Sequence, residues 1–367
     1  MDNRLYAAKL LFSHPLAGAQ VTLGGEYGYV NRQNGYWNRE GILADDDSRI
    51  KDNSWTLFVD YARALGTVQL QGGVRYEHIT SDYYESGVSI EEQSRKYDYL
   101  FPSLALAFPV GKVRMQFSYR ASIYRPSYFQ LRSSVTYVNR YTYEGGNPHL
   151  QPVVSQNLSF NSVYKWVYLS SGFRRSRNPL VQCVRLYTEK DPTVGILSFE
   201  HMRSYSMAYA SLMLSPAIGR WYPSWGIQMM QYWYPASTPQ GERNFDHPLG
   251  FFSWNNAFKL PGGVWLNVDA YCNTRGEMEN IELLKADCFL NLKFYKGFLD
   301  DRLSMQLQVD DLFGSRTNHA RQYSGIRVME FDQECRCSFG FTLRYKFNPS
   351  KSKYRGTGAG EGQKSRL

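Results

Sequence analysis

The chain has 367 residues, enough for two ordinary domains or one large β-barrel, and carries a formal net charge of +9. No stretch approaches the roughly 18 consecutive apolar residues of a membrane helix, which excludes a helical membrane protein but not a barrel, whose lipid face recurs at every second residue. Twenty-nine Tyr, 21 Phe and 8 Trp suit strands and interface belts, and the scattered basic residues form no stripe or motif that would bind nucleic acid.

The opening residues, MDNRLYAAKLLFSHPLAGAQ, lack the apolar core of a signal peptide and enter a strand pattern near Leu5. In SWTLFVDYA, Trp55, Leu57, Val59 and Tyr61 share one face. VQLQGGVRYEH sets Val68, Leu70, Val74 and Tyr76 against Gln69, Gln71, Arg75 and Glu77, and VRMQFSYRAS repeats the alternation from Val113 to Ser122. SYSMAYASLML leaves its facing open. VWLNVDAYCN, ADCFLNLKF, LSMQLQV and RCSFGFTLRYKF carry the period-two pattern on to Phe347.

The links SHPLAG, RALG, PVGK, YKW, SPAIGRWYP, LPGG and YKGFLDDR are short. They alternate with longer segments near 31–53, 81–98, 125–155, 235–249 and 311–335. Short turns at one end and long loops at the other predict an all-β fold, an antiparallel up-and-down transmembrane β-barrel of about fifteen strands. The first and last strands both run toward the short-turn end. Single-chain bacterial barrels are usually even-stranded, so the odd count points to a missed strand or a missing start. Residues 1–347 therefore read as a barrel domain incomplete at its N-terminus, and 348–367, with five Lys/Arg against one Glu, as a basic periplasmic tail.

Candidate ligand contacts are loop aromatics with polar neighbours: Tyr36, Trp37 and Asn38 in one loop, Tyr137, Asn139, Arg140, Tyr141 and Tyr143 in another. Such rings stack on sugars or other flat ligands, although an aromatic girdle at the membrane surface is the favoured reading. The six His lack metal-ligand spacing, and Asp45, Asp46 and Asp47 lie beside Arg49 and Lys51 in what reads as a solvated loop. No nucleophile–base pair or phosphate loop is present, so neither enzymatic chemistry, a metal nor a cofactor is expected. Cys272 and Cys288 fall on apolar faces where a hairpin could bring them together; free thiols are the favoured reading.

The stretch YRPSYFQLRSSVTYVNRYTYEGGNPHLQP resembles the barrel of TonB-dependent outer-membrane receptors, in which an Arg-Pro strand end, a variable loop and a Gly-Asn-Pro-x-Leu-x-Pro return occur together. The matching residues are Arg125, Pro126, Leu131, Gly146, Asn147, Pro148, Leu150 and Pro152. VDDLFGSRTN, with Asp311, Leu312 and Phe313, looks like the segment closing a penultimate strand, and CSFGFTLRYKF like a final strand with its terminal aromatic, Phe347. The tail ending EGQKSRL further resembles the Bacteroidetes-type outer-membrane β-barrel family.

The resemblance covers most of the chain and implies the Gram-negative outer membrane. It also implies nutrient uptake, with partners in outer-membrane lipid, the barrel-assembly machinery, a surface lipoprotein and an extracellular nutrient. A signal peptide, TonB-binding segment and plug are not recognisable. Against the roughly 22 strands of plugged transporters, the strands here would be the last fifteen of a truncated receptor. Two rivals remain: a plug-free channel or surface-binding barrel, and a secreted soluble carbohydrate-binding β-protein. EGGNPHLQP reads as the return from an extracellular loop, with Gly145 and Gly146 permitting the turn and Pro148 and Pro152 restricting the chain.

Overall fold

The computed structural model describes residues 2–39, 41, 45–188, 191–324, 327–347 and 359–366. Its main sheet has 17 strands, of which Val88–Ser89 and Gly241–Phe245 are short hairpin additions, leaving 15 in the wall. In chain order the wall strands are β1 (Asp2–Leu16), β2 (Ala19–Tyr36), β3 (Asp46–Leu65), β4 (Val68–Glu85), β5 (Arg95–Val110), β6 (Val113–Tyr124), β7 (Val153–Tyr164) and β8 (Val167–Arg177). They continue as β9 (Tyr205–Leu214), β10 (Trp221–Thr238), β11 (Leu249–Lys259), β12 (Val264–Asn273), β13 (Asp287–Phe298), β14 (Leu303–Asp310) and β15 (Ser338–Tyr345). Each pairs antiparallel with its successor, an up-and-down meander with the expected strand number. Among the described residues β1 pairs only with β2, and β15 only with β14.

The alternation sets which face meets lipid. Along β3, Ser48, Ile50, Asp52, Ser54 and Thr56 are buried, whereas Trp55, Leu57 and Val59 are 56%, 60% and 48% exposed. Polar side chains inside and apolar ones outside invert the pattern of a soluble sheet, and the exposed apolar face requires hydrocarbon around it. Aromatic contacts run across the strands, with Tyr27 on Trp55 at 4.6 Å and Phe117 on Phe160 at 4.6 Å between ring centroids. SYSMAYASLML resolves as β9, with Tyr205 and Met207 buried in the core.

Short turns close one end. Ala17 and Gly18, at φ 50° and 78°, place both residues of the two-residue turn between β1 and β2 in the left-handed region, which lets the turn follow the right-handed twist of the strands it joins. At the other end the long connections fold rather than hang loose. One four-stranded sheet joins Val135–Asn139, Thr142–Gly145, Leu180–Thr188 and Asp191–His201; another joins Gly276–Met278, Ile281–Leu283, Thr317–Ser324 and Arg327–Glu334. Gln322 donates to the Gln182 carbonyl at 2.7 Å, tying the two sheets together. The connections 178–204 and 274–286 are not among the long segments expected from sequence. LVQCVRLY and GILSFEH alternate as regularly as wall strands, so period alone cannot separate a hairpin above the wall from the wall itself.

The cysteines correct one expectation. The register sets Cys272 directly opposite Cys288, and the two form a disulfide between β12 and β13. Cys183, Cys335 and Cys337 are free thiols.

Candidate functional site

The segment between β6 and β7 folds inward, and the return motif is what holds it there. Leu131, Leu150 and Tyr128 pack with Val30, Ile50 and Tyr83 from the inner face of β2, β3 and β4. Asn147 makes a local turn, its side-chain oxygen accepting from the His149 amide at 2.9 Å while its Nδ2 donates to the Phe199 carbonyl at 2.9 Å. A Cβ on Gly146 would stand 2.5 Å from the Arg132 carbonyl oxygen and 2.6 Å from that of Gln130, so only glycine permits this backbone approach. The Arg95 guanidinium donates to the carbonyls of Pro148 and Leu150, and the Gln151 amide donates to His201 Nε2 at 2.6 Å.

Beneath this loop lies a buried charged network. Glu77, 2% exposed on β4, accepts from Arg125 on one carboxylate oxygen and from Arg75 at 2.6 Å on the other. Asp52 on β3 takes Ser81 Oγ at 2.5 Å on Oδ1, and the Tyr128 hydroxyl at 2.7 Å on Oδ2. Burial, reinforced by the Asp52 charge, pushes the Tyr128 hydroxyl far above its ordinary pKa and keeps it a proton donor. Asp46, at the top of β3, accepts from Asn34 at 2.7 Å, Ser48 at 3.1 Å and Ser133. It is thus a buried strut under the loop, not the solvated acid that its Asp-rich surroundings suggest.

A cleft of about 380 Å³ opens beside this network, lined by Arg75, Glu77, Phe101, Arg120, Ser122 and Arg125 among others. A smaller cavity of about 30 Å³, lined by Asp52, Tyr97 and Arg125, has room for a water. Tyr97 Oη and Arg125 Nε, which have no partner among the described residues, are the groups such a water would satisfy. Two larger grooves, around Leu57 and around Trp254, are apolar and lie on the lipid-facing side of the wall.

The aromatic candidates separate into two groups. Tyr137 and Tyr143 meet across their hairpin at 5.8 Å between centroids, and Tyr143 meets Tyr187 edge-on at 4.5 Å. The Arg140 guanidinium sits 4.7 Å over the Tyr141 ring, and Asn139 turns the hairpin by accepting from the Tyr141 amide at 2.9 Å. Tyr36 ends β2, paired in register with Asp46, and the Asn38 amide donates to Asp45 Oδ1 at 2.7 Å. Trp37 projects outward, 70% exposed, with its ring over Gly35. The two loops meet at their bases, where Asn34 donates to Ser134 Oγ at 3.3 Å.

The motif residues near the C-terminus are structural in their contacts. Asp311, at φ 53°, accepts from the amides of Ser315 at 2.9 Å and Arg316 at 3.0 Å, and the Leu312 amide donates to the Leu290 carbonyl at 2.8 Å. Phe313 and Phe347 are exposed at the apolar surface. Asp246, His247 and Glu277 bring potential metal ligands within 4.8 Å of one another. The Glu277 carboxylate is already taken by Arg243 at 2.6 Å and by the Asp246 and His247 amides at 2.7 and 3.0 Å, a cation and two donors where a metal would need free lone pairs.

This wall, with its apolar exterior and its inward-folded, charge-locked loop, matches a family model for outer membrane β-barrel proteins over residues 1–345. The chain belongs to the outer membrane protein β-barrel family. Its location is accordingly the outer membrane, and the soluble carbohydrate-binding alternative falls with the exposed apolar band. No curated protein is similar enough in sequence to match it.

Among solved structures it is similar to the copper transporter OprC, with a TM-score of 0.63 and 8% identity over 94% of this chain and 57% of that one. It is also similar to the ferric enterobactin receptor PfeA of Pseudomonas aeruginosa, with a TM-score of 0.60 and 15% identity over 93% of this chain and 54% of the receptor. For the ferric citrate transporter FecA the values are 0.58 and 10%, over 92% and 53%. The chain thus spans a little over half the length of these proteins, and at such identities the likeness is one of fold.

The return motif is legible in the sequence, but what it grips is not. Glu77 was visible only as a polar-face residue, and Asp52 and Tyr128 carried no motif. The available signal was an acidic residue on the inner face of a strand whose outer face is apolar, which costs too much to keep unless something pairs with it.

Proposed function

We propose that this chain forms the barrel portion of an outer-membrane receptor for a scarce extracellular nutrient, and that it performs no chemistry of its own. The observation that carries this reading is the inward-folded 125–152 segment, locked to the wall through Arg125 and Glu77 and roofed by two small sheets. The similar folds are those of receptors or transporters for copper, ferric enterobactin and ferric citrate, which supports a metal or metal–chelate as the class of nutrient. The aromatic cluster of Tyr137, Tyr143 and Tyr187 suits first contact with a flat chelate at the long-loop end.

The test is accumulation of radiolabelled ferric siderophore, ferric citrate and copper by cells carrying or lacking the gene. Reduced accumulation of one of them, restored by the intact gene and not by one with Tyr137 and Tyr143 changed to Ala, is the expected result. Unchanged accumulation of all three, together with steady single-channel conductance of the purified protein, would overturn the reading in favour of an open channel.

A further inference from the structure

The C-terminal segment does not trail away from the wall. Residues 359–366 return to the inner face of β1, β2 and β3. The Gly360 amide donates to Glu26 Oε1 at 3.0 Å, and Gln363 Nε2 donates to Ser54 Oγ at 2.8 Å. At Gly360, φ is 77° and a Cβ would lie 2.8 Å from that of Ala7, so the segment is seated closely against β1.

Arg366 makes the densest set of contacts. Its Nη1 donates to Asp52 Oδ2 at 2.8 Å and reaches the Tyr128 hydroxyl at 3.3 Å, and its Nε donates to the Pro126 carbonyl at 3.0 Å. The guanidinium carbon stands 4.3 Å from the Tyr128 ring centroid, while the Tyr128 amide donates back to the Arg366 carbonyl at 3.0 Å.

These contacts select one chemical group. A carboxylate and a carbonyl are met together by donors fixed on one planar cation whose flat side lies on an aromatic ring, and a guanidinium satisfies all three. An ammonium is a point charge with no flat face and cannot hold this geometry. The carboxylate also has partners other than Arg366. Ser81 and Tyr128 orient Asp52 from the wall and the loop, and Asp52 is 4% exposed. Without Arg366, Asp52 would lose the cation bonded to it and keep only the more distant charges of Arg95 and Arg125, which line the same cavity.

We propose that Asp52, Tyr128 and the Pro126 carbonyl form a guanidinium-binding site on the inner face of the barrel. Arg366 is its tethered ligand, and a guanidinium-bearing molecule from outside enters by exchange with the C-terminal segment. The site stands on its own geometry and does not depend on the nutrient-receptor reading above.

The full chain carrying S54C and Q363C, with C183S, C335S and C337S, tests the proposal in detergent micelles. A short bifunctional thiol reagent should join the two introduced thiols, because the 2.8 Å contact is made by the end of the Gln363 side chain and leaves the Cβ atoms too far apart for a direct disulfide; the product is read as a linked peptide by mass spectrometry. D52N and R366A should each slow that reaction about tenfold. Arginine amide should slow it in the parent, and lysine amide at equal concentration should not. Retention of the native disulfide and heat-modifiable migration report folding in every variant. Carboxypeptidase trimming of the otherwise unaltered full chain gives a second readout, in which D52N or arginine amide should speed release of Arg366. Equal crosslinking and equal trimming with and without the Asp52 carboxylate, or competition by lysine amide as effective as by arginine amide, would overturn it.

Discussion

Arg125 and Glu77 form an ion pair across the inside of the wall, 48 residues apart in sequence, and both side chains are largely removed from water. The Arg-Pro strand end is therefore half of a lock whose other half lies on β4. Because Arg75 shares the same carboxylate, Glu77→Ala would strip the buried Arg125 and the half-exposed Arg75 of the anion bonded to both. The expected cost is about 3–5 kcal/mol, the usual penalty for stranding a buried charge. Denaturant unfolding in micelles, followed by loss of heat-modifiable migration, measures it. Replacing Glu77 and Arg125 together by Gln and Met should recover part of the loss, whereas an equal or greater loss would mean that the pair is incidental.

Gly146→Ala should damage folding more than Gly145→Ala. At 146 the new methyl would press on backbone atoms of Gln130 and Arg132, which cannot move without dragging the loop. At 145 the nearest atom is the end of the Ile196 side chain, at 3.0 Å, which can rotate away. An overpacking cost of roughly 1–3 kcal/mol is expected at 146, visible as faster proteolysis within 125–152. Equal protease resistance of the two variants would count against the close approach.

Thiol labelling should sort the five cysteines into three classes. Burial pushes the Cys183 thiol up to about 12, with Glu200 adding to the effect, so a native-state maleimide should leave it unmodified. Cys335 and Cys337 are partly exposed and should react. Cys272 and Cys288 should react only after reduction. Mass spectrometry of labelled peptides decides each case, and rapid native labelling of Cys183 would show that its hairpin opens readily.

The return segment should loosen in mild acid. His201 accepts from the Gln151 amide at Nε2 and pairs with the Asn178 carbonyl through Nδ1, which fixes it as the neutral ring with the proton on Nδ1. Although the residue as a whole is exposed, desolvation of its bonded edge, aided by the Arg95 charge, holds its pKa below the ordinary histidine value. A histidine lowered in this way binds its proton more readily in the unfolded chain. Its contribution is complete above the unfolded value of about 6.5 and is lost as pH falls through the lower folded one. Hydrogen exchange at Gln151 should accelerate over that window and stay flat in His201→Gln. The same acceleration in both proteins would place the sensor elsewhere.

Strand number, direction and lipid-facing residues were legible because a barrel writes its two faces into alternate positions, as in Trp55, Leu57 and Val59 against Ser54 and Thr56. The return motif was legible because Gly146 and Pro148 are chosen by local backbone demands. What the motif holds was not, since Glu77 and Arg125 meet only after the intervening strands have paired. The same limit hid the Cys272–Cys288 bridge, which depends on a register set by the whole β12–β13 ladder. It hid the position of Arg366 as well, because nothing in a basic tail names the acid that it finds.

The edges of β1 and β15, unpaired among the described residues, have a consequence of direction. Both strands run toward the short-turn end, so joining them would create a parallel seam in an otherwise antiparallel wall. Two copies of this chain standing side by side in one membrane with the same orientation meet the same obstacle, because β15 of one and β1 of the other also point the same way. Any partner that closes this wall through antiparallel ladders must contribute an odd number of strands.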